Sequence, residues 1–149
     1  MTIFKKFVNK FNRADNIKTS SQTDINNLEA EFKICLPNDF KTFILNYGNV
    51  WTLEILDIIV DNEFELNDIQ QFWDVEQIIY DKKNEWTSNI STDLIPFASD
   101  CMGNIFAFLA SDLKTIKETA AIYFYDHDFD KIEKISESFT DWIDKFNQL

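Results

Sequence analysis

The sequence predicts an α+β domain, a mostly antiparallel central sheet with helices packed around it. Three observations carry this. Up to Tyr47, apolar residues recur at helical spacing. From Leu94 to Ile135 they form short β-branched and aromatic runs divided by turn residues. At the end Phe139, Trp142, Ile143 and Phe146 return to the spacing i, i+3, i+4, i+7. The 149 residues are expected to form one domain over 1–149. A chain of this size buries roughly 70% of its unfolded surface, and 15 Phe and 4 Trp are enough to fill the core without a metal or disulfide.

Taken in order, Thr2–Asn12 reads as an amphipathic helix with Ile3, Phe4, Phe7, Val8 and Phe11 on one face and Lys5, Lys6 and Lys10 between them. A basic amphipathic helix suits a membrane surface or a core; the acidity of the remaining chain favours the core. Asp15–Thr23 reads as a polar loop. A second helix is expected over Asp24–Lys33, capped by Thr23, with Ile25, Leu28 and Phe32 on its inner face. Pro37 suits the first turn of a third helix carrying Phe40, Phe43, Ile44 and Tyr47, with Gly48 as its C-terminal stop.

Trp51–Val60, rich in Ile, Leu and Val, reads as a strand, followed by a turn at Asp61-Asn62 and a short strand at Phe64–Leu66. Gln70–Trp73 reads as extended. Asp74 and Gln77 have capping-box spacing at the head of a helix whose apolar face takes in Val75, Ile78, Ile79 and Trp86. Ser88–Asp93 reads as a polar loop. Leu94–Phe97 and Asn104–Leu109 form the central hairpin, its turn at Ser99–Gly103 with Gly103 at a positive φ. Ile105–Ala110, apolar without a break, suits a strand covered on both faces. After a polar connection at Asp112–Thr119, Ala120–Tyr125 and Lys131–Ile135 are strands around an Asp126–Asp130 turn, and Ser136 is expected to cap the last helix.

Charge narrows the function classes. The net charge is −12; residues 1–20 hold five Lys/Arg and one Asp, and residues 21–149 hold nine Lys/Arg and 25 Asp/Glu. A body at −16 repels nucleic acid and membrane phosphates, so neither is expected as a partner. It attracts a basic protein, although acidity also serves solubility alone. No apolar run approaches the roughly 18 residues of a membrane span, and the N-terminus lacks a signal-peptide h-region; a cytoplasmic location is expected. Cys35 and Cys101 lack metal-ligand or redox spacing and read as free, buried small hydrophobes.

Candidate chemistry is sparse. His127, the single histidine, stands between Asp126 and Asp128 with Asp130 beyond. The pattern fits a structural Asp-rich turn, an acidic partner-binding tip, or a catalytic or metal site; the turn is favoured. There is no second His, no Gly-x-Ser-x-Gly elbow and no phosphate loop. Trp51, Trp73, Tyr123 and Tyr125 fit a half-buried sheet better than an exposed aromatic patch. No catalytic residue, cofactor or metal is therefore expected. The acids expected at exposed loops and strand ends are Asp57, Asp61, Glu63, Asp126, Asp128 and Asp130, and these are the partner-binding candidates.

Several motifs together resemble the SUKH superfamily. They are Leu28-Glu29, Leu36-Pro-Asn-Asp-Phe40, Tyr47-Gly-Asn49, Leu94-Ile-Pro-Phe-Ala-Ser-Asp100 with Gly103-Asn-Ile-Phe-Ala-Phe108, and Ile122-Tyr-Phe-Tyr-Asp-His-Asp128 followed by Ile135-Ser-Glu-Ser-Phe139. Relatives often carry a Gly pair where this chain has Gly48-Asn49. The superfamily includes fungal cell-wall assembly regulators and many bacterial immunity proteins. The resemblance implies a non-enzymatic domain that binds and blocks a cognate toxin of a polymorphic or contact-dependent system, often a nuclease. The alternative it implies is a regulatory scaffold with an endogenous partner. It supplies no contact residues and fixes no oligomeric state.

Overall fold

In a computed structural model, which describes residues 2–52, 54–84 and 93–149, five strands form one antiparallel sheet in the order β1-β2-β3-β4-β5. The strands are β1 (Gln71–Phe72), β2 (Leu94–Ser99), β3 (Ile105–Leu109), β4 (Ile122–Asp126) and β5 (Lys131–Ser136). Helices α1 (Ile3–Phe11), α2 (Gln22–Phe32), α3 (Asn38–Asn46) and α4 (Ile55–Asp61) precede β1. Helix α5 (Val75–Asn84) lies between β1 and β2, and α6 (Phe139–Phe146) closes the chain. The α+β expectation holds. The central hairpin is β2–β3, and β3, flanked on both sides, is buried along almost its whole length.

One face of the sheet is an aromatic layer. Phe97 stacks against Phe108 with centroids 4.8 Å apart and meets Phe40 of α3 at 5.2 Å and Trp142 of α6 at 5.8 Å. Phe97 reaches this layer because β2 bulges between Pro96 and Ala98, where two residues oppose one. Phe139 touches Phe4, Phe40 and Phe43 and so links α1, α3 and α6. The apolar face of α1 (Phe4, Phe7, Val8, Phe11) is buried, and α1 packs on α6, which settles its role as core and not membrane contact. Tilted and edge-on aromatic pairs of this kind add about 0.5–1.5 kcal/mol each beyond area burial. Helix α5 packs against β2 and α2.

Local chemistry sets the ends of the elements. The cap of α2 is Ser21, two residues earlier than Thr23, because Ser21 and Asp24 bond each other's backbone in a reciprocal box. Asp74 accepts the Gln77 N–H at 2.8 Å, as its spacing predicts. Pro37 precedes the first helical residue of α3, and the Asn38 and Asp39 N–H groups donate to the Lys117 and Glu118 carbonyls. The connection at Asp112–Thr119 is thus a cap for another helix, entered through a single 3-10 turn at Ala110–Leu113. Gly48 has φ +64°, and a Cβ there would lie 1.9 Å from the Lys18 carbonyl oxygen, so no other residue fits. Ser138, not Ser136, caps α6 by accepting the Asp141 N–H; Ser136 braces that cap by donating to the Ser138 carbonyl at 2.9 Å.

Three expectations fail on packing. Trp51–Val60 is not a strand: only Val50–Thr52 runs beside β1, through a bridge from Trp51 to Gln71, and the chain then turns into α4. Ile55 and Ile59 lie one turn apart and both are buried, so the tertiary environment overrides the β preference of Ile and Val. Phe64–Leu66 forms no strand. Cys35 and Cys101 are free but not buried, Cys35 being half-exposed and Cys101 exposed. Trp73 and Tyr125 are buried and Trp51 and Tyr123 half-buried, as sheet residues. The expected placement of Trp86 and of residues 88–92 lies outside the described residues.

Candidate functional site

The β2–β3 and β4–β5 turns lie at one end of the sheet and are bonded together. Asp100 accepts the N–H groups of Met102 (2.9 Å) and Asn104 (2.8 Å) and the Asn104 side-chain amide (2.9 Å). The Asn104 side-chain oxygen then accepts the His127 N–H at 3.1 Å, and His127 Nε2 bonds the Met102 carbonyl at 2.7 Å. A third loop joins them: Asp68, on the way from α4 to β1, accepts the Cys101 N–H at 3.1 Å. Gly103 has φ +84°, as the turn requires, and the His127 ring lies over it.

This clasp explains the local acid–base behaviour. The His127 pKa is raised, first by its bond to the Met102 carbonyl and then by the charges of Asp128, Asp126 and Asp100. Burial pushes up the Asp68 carboxyl and the Cys101 thiol, and the nearby Asp68 charge raises the thiol further, so Cys101 is held away from its reactive thiolate form. His127 Nδ1 lies 3.4 Å from Asp128. With Nε2 committed to a backbone carbonyl, His127 is a poor general base. Among the described residues no group of three or more His, Cys, Asp or Glu is arranged to hold a metal.

The six predicted acids fall into two groups. Asp57 and Asp61 lie on α4 and Glu63 just beyond it at φ +56°; they are helical and post-helical acids, not strand-end ones, because the predicted strand is α4. Asp126, Asp128 and Asp130 meet on the β4–β5 turn. Their roles differ. Asp126 accepts the Asp128 and Phe129 N–H groups. Asp130, at φ +49°, accepts the Tyr125 hydroxyl at 2.7 Å; burial, and then that bond, push the Tyr125 pKa up to about 12. Asp128 carries no backbone load. None of the six pairs with a Lys or Arg among the described residues, whereas N-terminal cations do find acids: Arg13 pairs with Glu54 at 2.9 Å and Lys18 with Asp74 at 3.2 Å.

Sequence reasoning missed the apolar side chains among these acids. Phe129 is 79% exposed and Met102 67% exposed, one on each bonded turn. On α4, Leu56 and Val60 form an exposed column beside Asp57 and Asp61, with Phe64 beyond. A groove of about 410 Å³ beside Phe129 is lined by Asn67, Phe124, Asp126, Lys131 and Glu133. The signal was present: in Asp126-His-Asp-Phe-Asp130 an aromatic residue occupies the tip of a hairpin, where it has nothing to pack against.

An α+β scaffold with a sealed aromatic core and an acidic, loop-built end defines the class of protein. The chain belongs to the SMI1 / KNR4 family (SUKH-1), whose model matches residues 19–145. No curated protein matches the chain. No described helix is long and apolar enough to cross a membrane.

Proposed function

We propose that this chain is an immunity protein that binds and neutralises a cognate bacterial toxin, with a basic nuclease domain the best-suited target, through an acidic surface. Membership of the SUKH-1 family supports a binding role over catalysis. The observation that carries the reading is the exposed acid set Asp57, Asp61, Glu63 and Asp128, which has no Lys or Arg partner within the described chain. Exposed unpaired acids leave a negative field that steers a basic partner and raises its association rate. Occlusion by binding needs no reacting group, and His127 serves the turn. Its cellular site is the cytoplasm, and it takes no cofactor.

Co-expression with the toxin encoded beside this chain's gene, followed by co-purification, tests the proposal. A stable complex and rescued growth are expected; absence of a complex overturns it. A His127→Ala variant should still protect, and loss of protection without loss of binding would restore an enzymatic reading. The regulatory-scaffold alternative, favoured by the family's fungal members, predicts a housekeeping gene neighbourhood in place of a toxin gene.

A further inference from the structure

We propose that Met102 and Phe129 are the paired apolar anchor of the partner site, and that the surface they dock on is an apolar recess ringed by Lys and Arg. This rests on the toxin-binding reading and names where on the chain that contact is centred.

Two features support the assignment. The first is exposure without local cause. A large aromatic and a methionine side chain project from adjacent turns, where burying either is favourable, and neither side chain helps hold the turn. The turns are held by Asp100, Asn104, His127, Asp126 and Asp130 through backbone and side-chain bonds. The anchors are therefore presented on a preformed support, which lowers the ordering cost of binding.

The second is charge. Asp128 flanks Phe129, and Asp126 and Glu133 line the groove beside it together with one cation, Lys131, so acids outnumber bases around the anchor. An apolar centre with a charged rim is the usual anatomy of an interface, in which aromatic anchors carry most of the energy and rim charges set the encounter rate. An acidic rim selects a basic partner and rejects nucleic acid and anionic lipid.

The test is binding of the catalytically inactivated toxin domain encoded beside this gene to the full chain, read as association and dissociation rates. Phe129→Ser and Met102→Ser should each weaken binding at least tenfold, chiefly through faster dissociation. Ile116→Ser, 76% exposed beyond the opposite end of β3, should change it less than twofold. All three side chains are exposed, and an unchanged melting temperature will confirm intact folding. Wild-type affinity in both tip variants overturns the anchor while leaving the immunity reading intact, as does loss of binding only in Val60→Ser on α4. No binding by the wild-type chain overturns both.

Discussion

The two turns at the acidic end of the sheet look alike in sequence and work differently. In Ser99-Asp-Cys-Met-Gly-Asn104 the acid is internal. Asp100 is 7% exposed and accepts three hydrogen bonds, so its charge is consumed in closing the turn. In Asp126-His-Asp-Phe-Asp130 the load is shared: Asp126 caps the backbone, Asp130 holds Tyr125, and the exposed Asp128 carboxylate has only the neighbouring His127 ring beside it, at 3.4 Å. An Asp-rich turn is thus neither structural nor functional as a whole. The division runs residue by residue, and it follows which carboxylates have backbone N–H groups to accept.

Substitutions ordered by expected cost can break that division. Asp100→Ala should be the most damaging, by about 3 kcal/mol, because it strips partners from two turn N–H groups and a buried amide; urea denaturation measures it. Tyr125→Phe should cost about 1 kcal/mol, the worth of one hydrogen bond to a charged acceptor at a partly exposed site. Asp128→Ala should change stability by less than about 0.5 kcal/mol, yet slow association with a basic partner. If Asp128→Ala proved as destabilising as Asp100→Ala, the two turns would not differ as described.

The smallest effect is in pH. The folded pKa of His127 lies above its ordinary value of 6.5, first through the Met102 carbonyl and then through the surrounding aspartates. The folded state therefore holds the proton more tightly. The stabilisation is fully present below about pH 6.5 and is lost as pH rises through the folded pKa. Because the ring is exposed, the effect is small. An NMR titration should show the raised midpoint, and the amides of Asn104 and His127 should exchange more slowly at pH 5.5 than at pH 8 relative to a distant amide of equal protection. A midpoint at or below 6.5 would contradict the clasp.

What the sequence made legible was mostly backbone. Gly48, Gly103, Pro37 and the apolar spacing of α1, α3 and α6 each have one conformation they suit, so local rules find them. Helix α4 was hidden because Ile55-Leu-Asp-Ile-Ile-Val60 has strand composition, and only its burial partners decide between the two periods. The candidate site was half legible. Exposed acids can be guessed from charge, but local spacing misses long-range use: Asp39, its pKa raised by burial, accepts both the N–H and the hydroxyl of Thr140, 101 residues on. The bonds that join the two turns, from His127 to Asn104 and to Met102, are likewise invisible until the strands are paired.

On the proposed reading, exposed acids on a preformed loop end recruit a basic toxin. The most direct measurement is the association rate of the chain with the inactivated toxin domain across a salt series, for the wild type and for Asp128→Asn. Screening weakens exposed charge pairs as the Debye length falls from about 30 Å at 0.01 M salt to about 8 Å at 0.15 M. The wild-type rate should fall steeply over this range, with a shallower slope for Asp128→Asn. A rate indifferent to salt, or identical slopes for the two proteins, would contradict it.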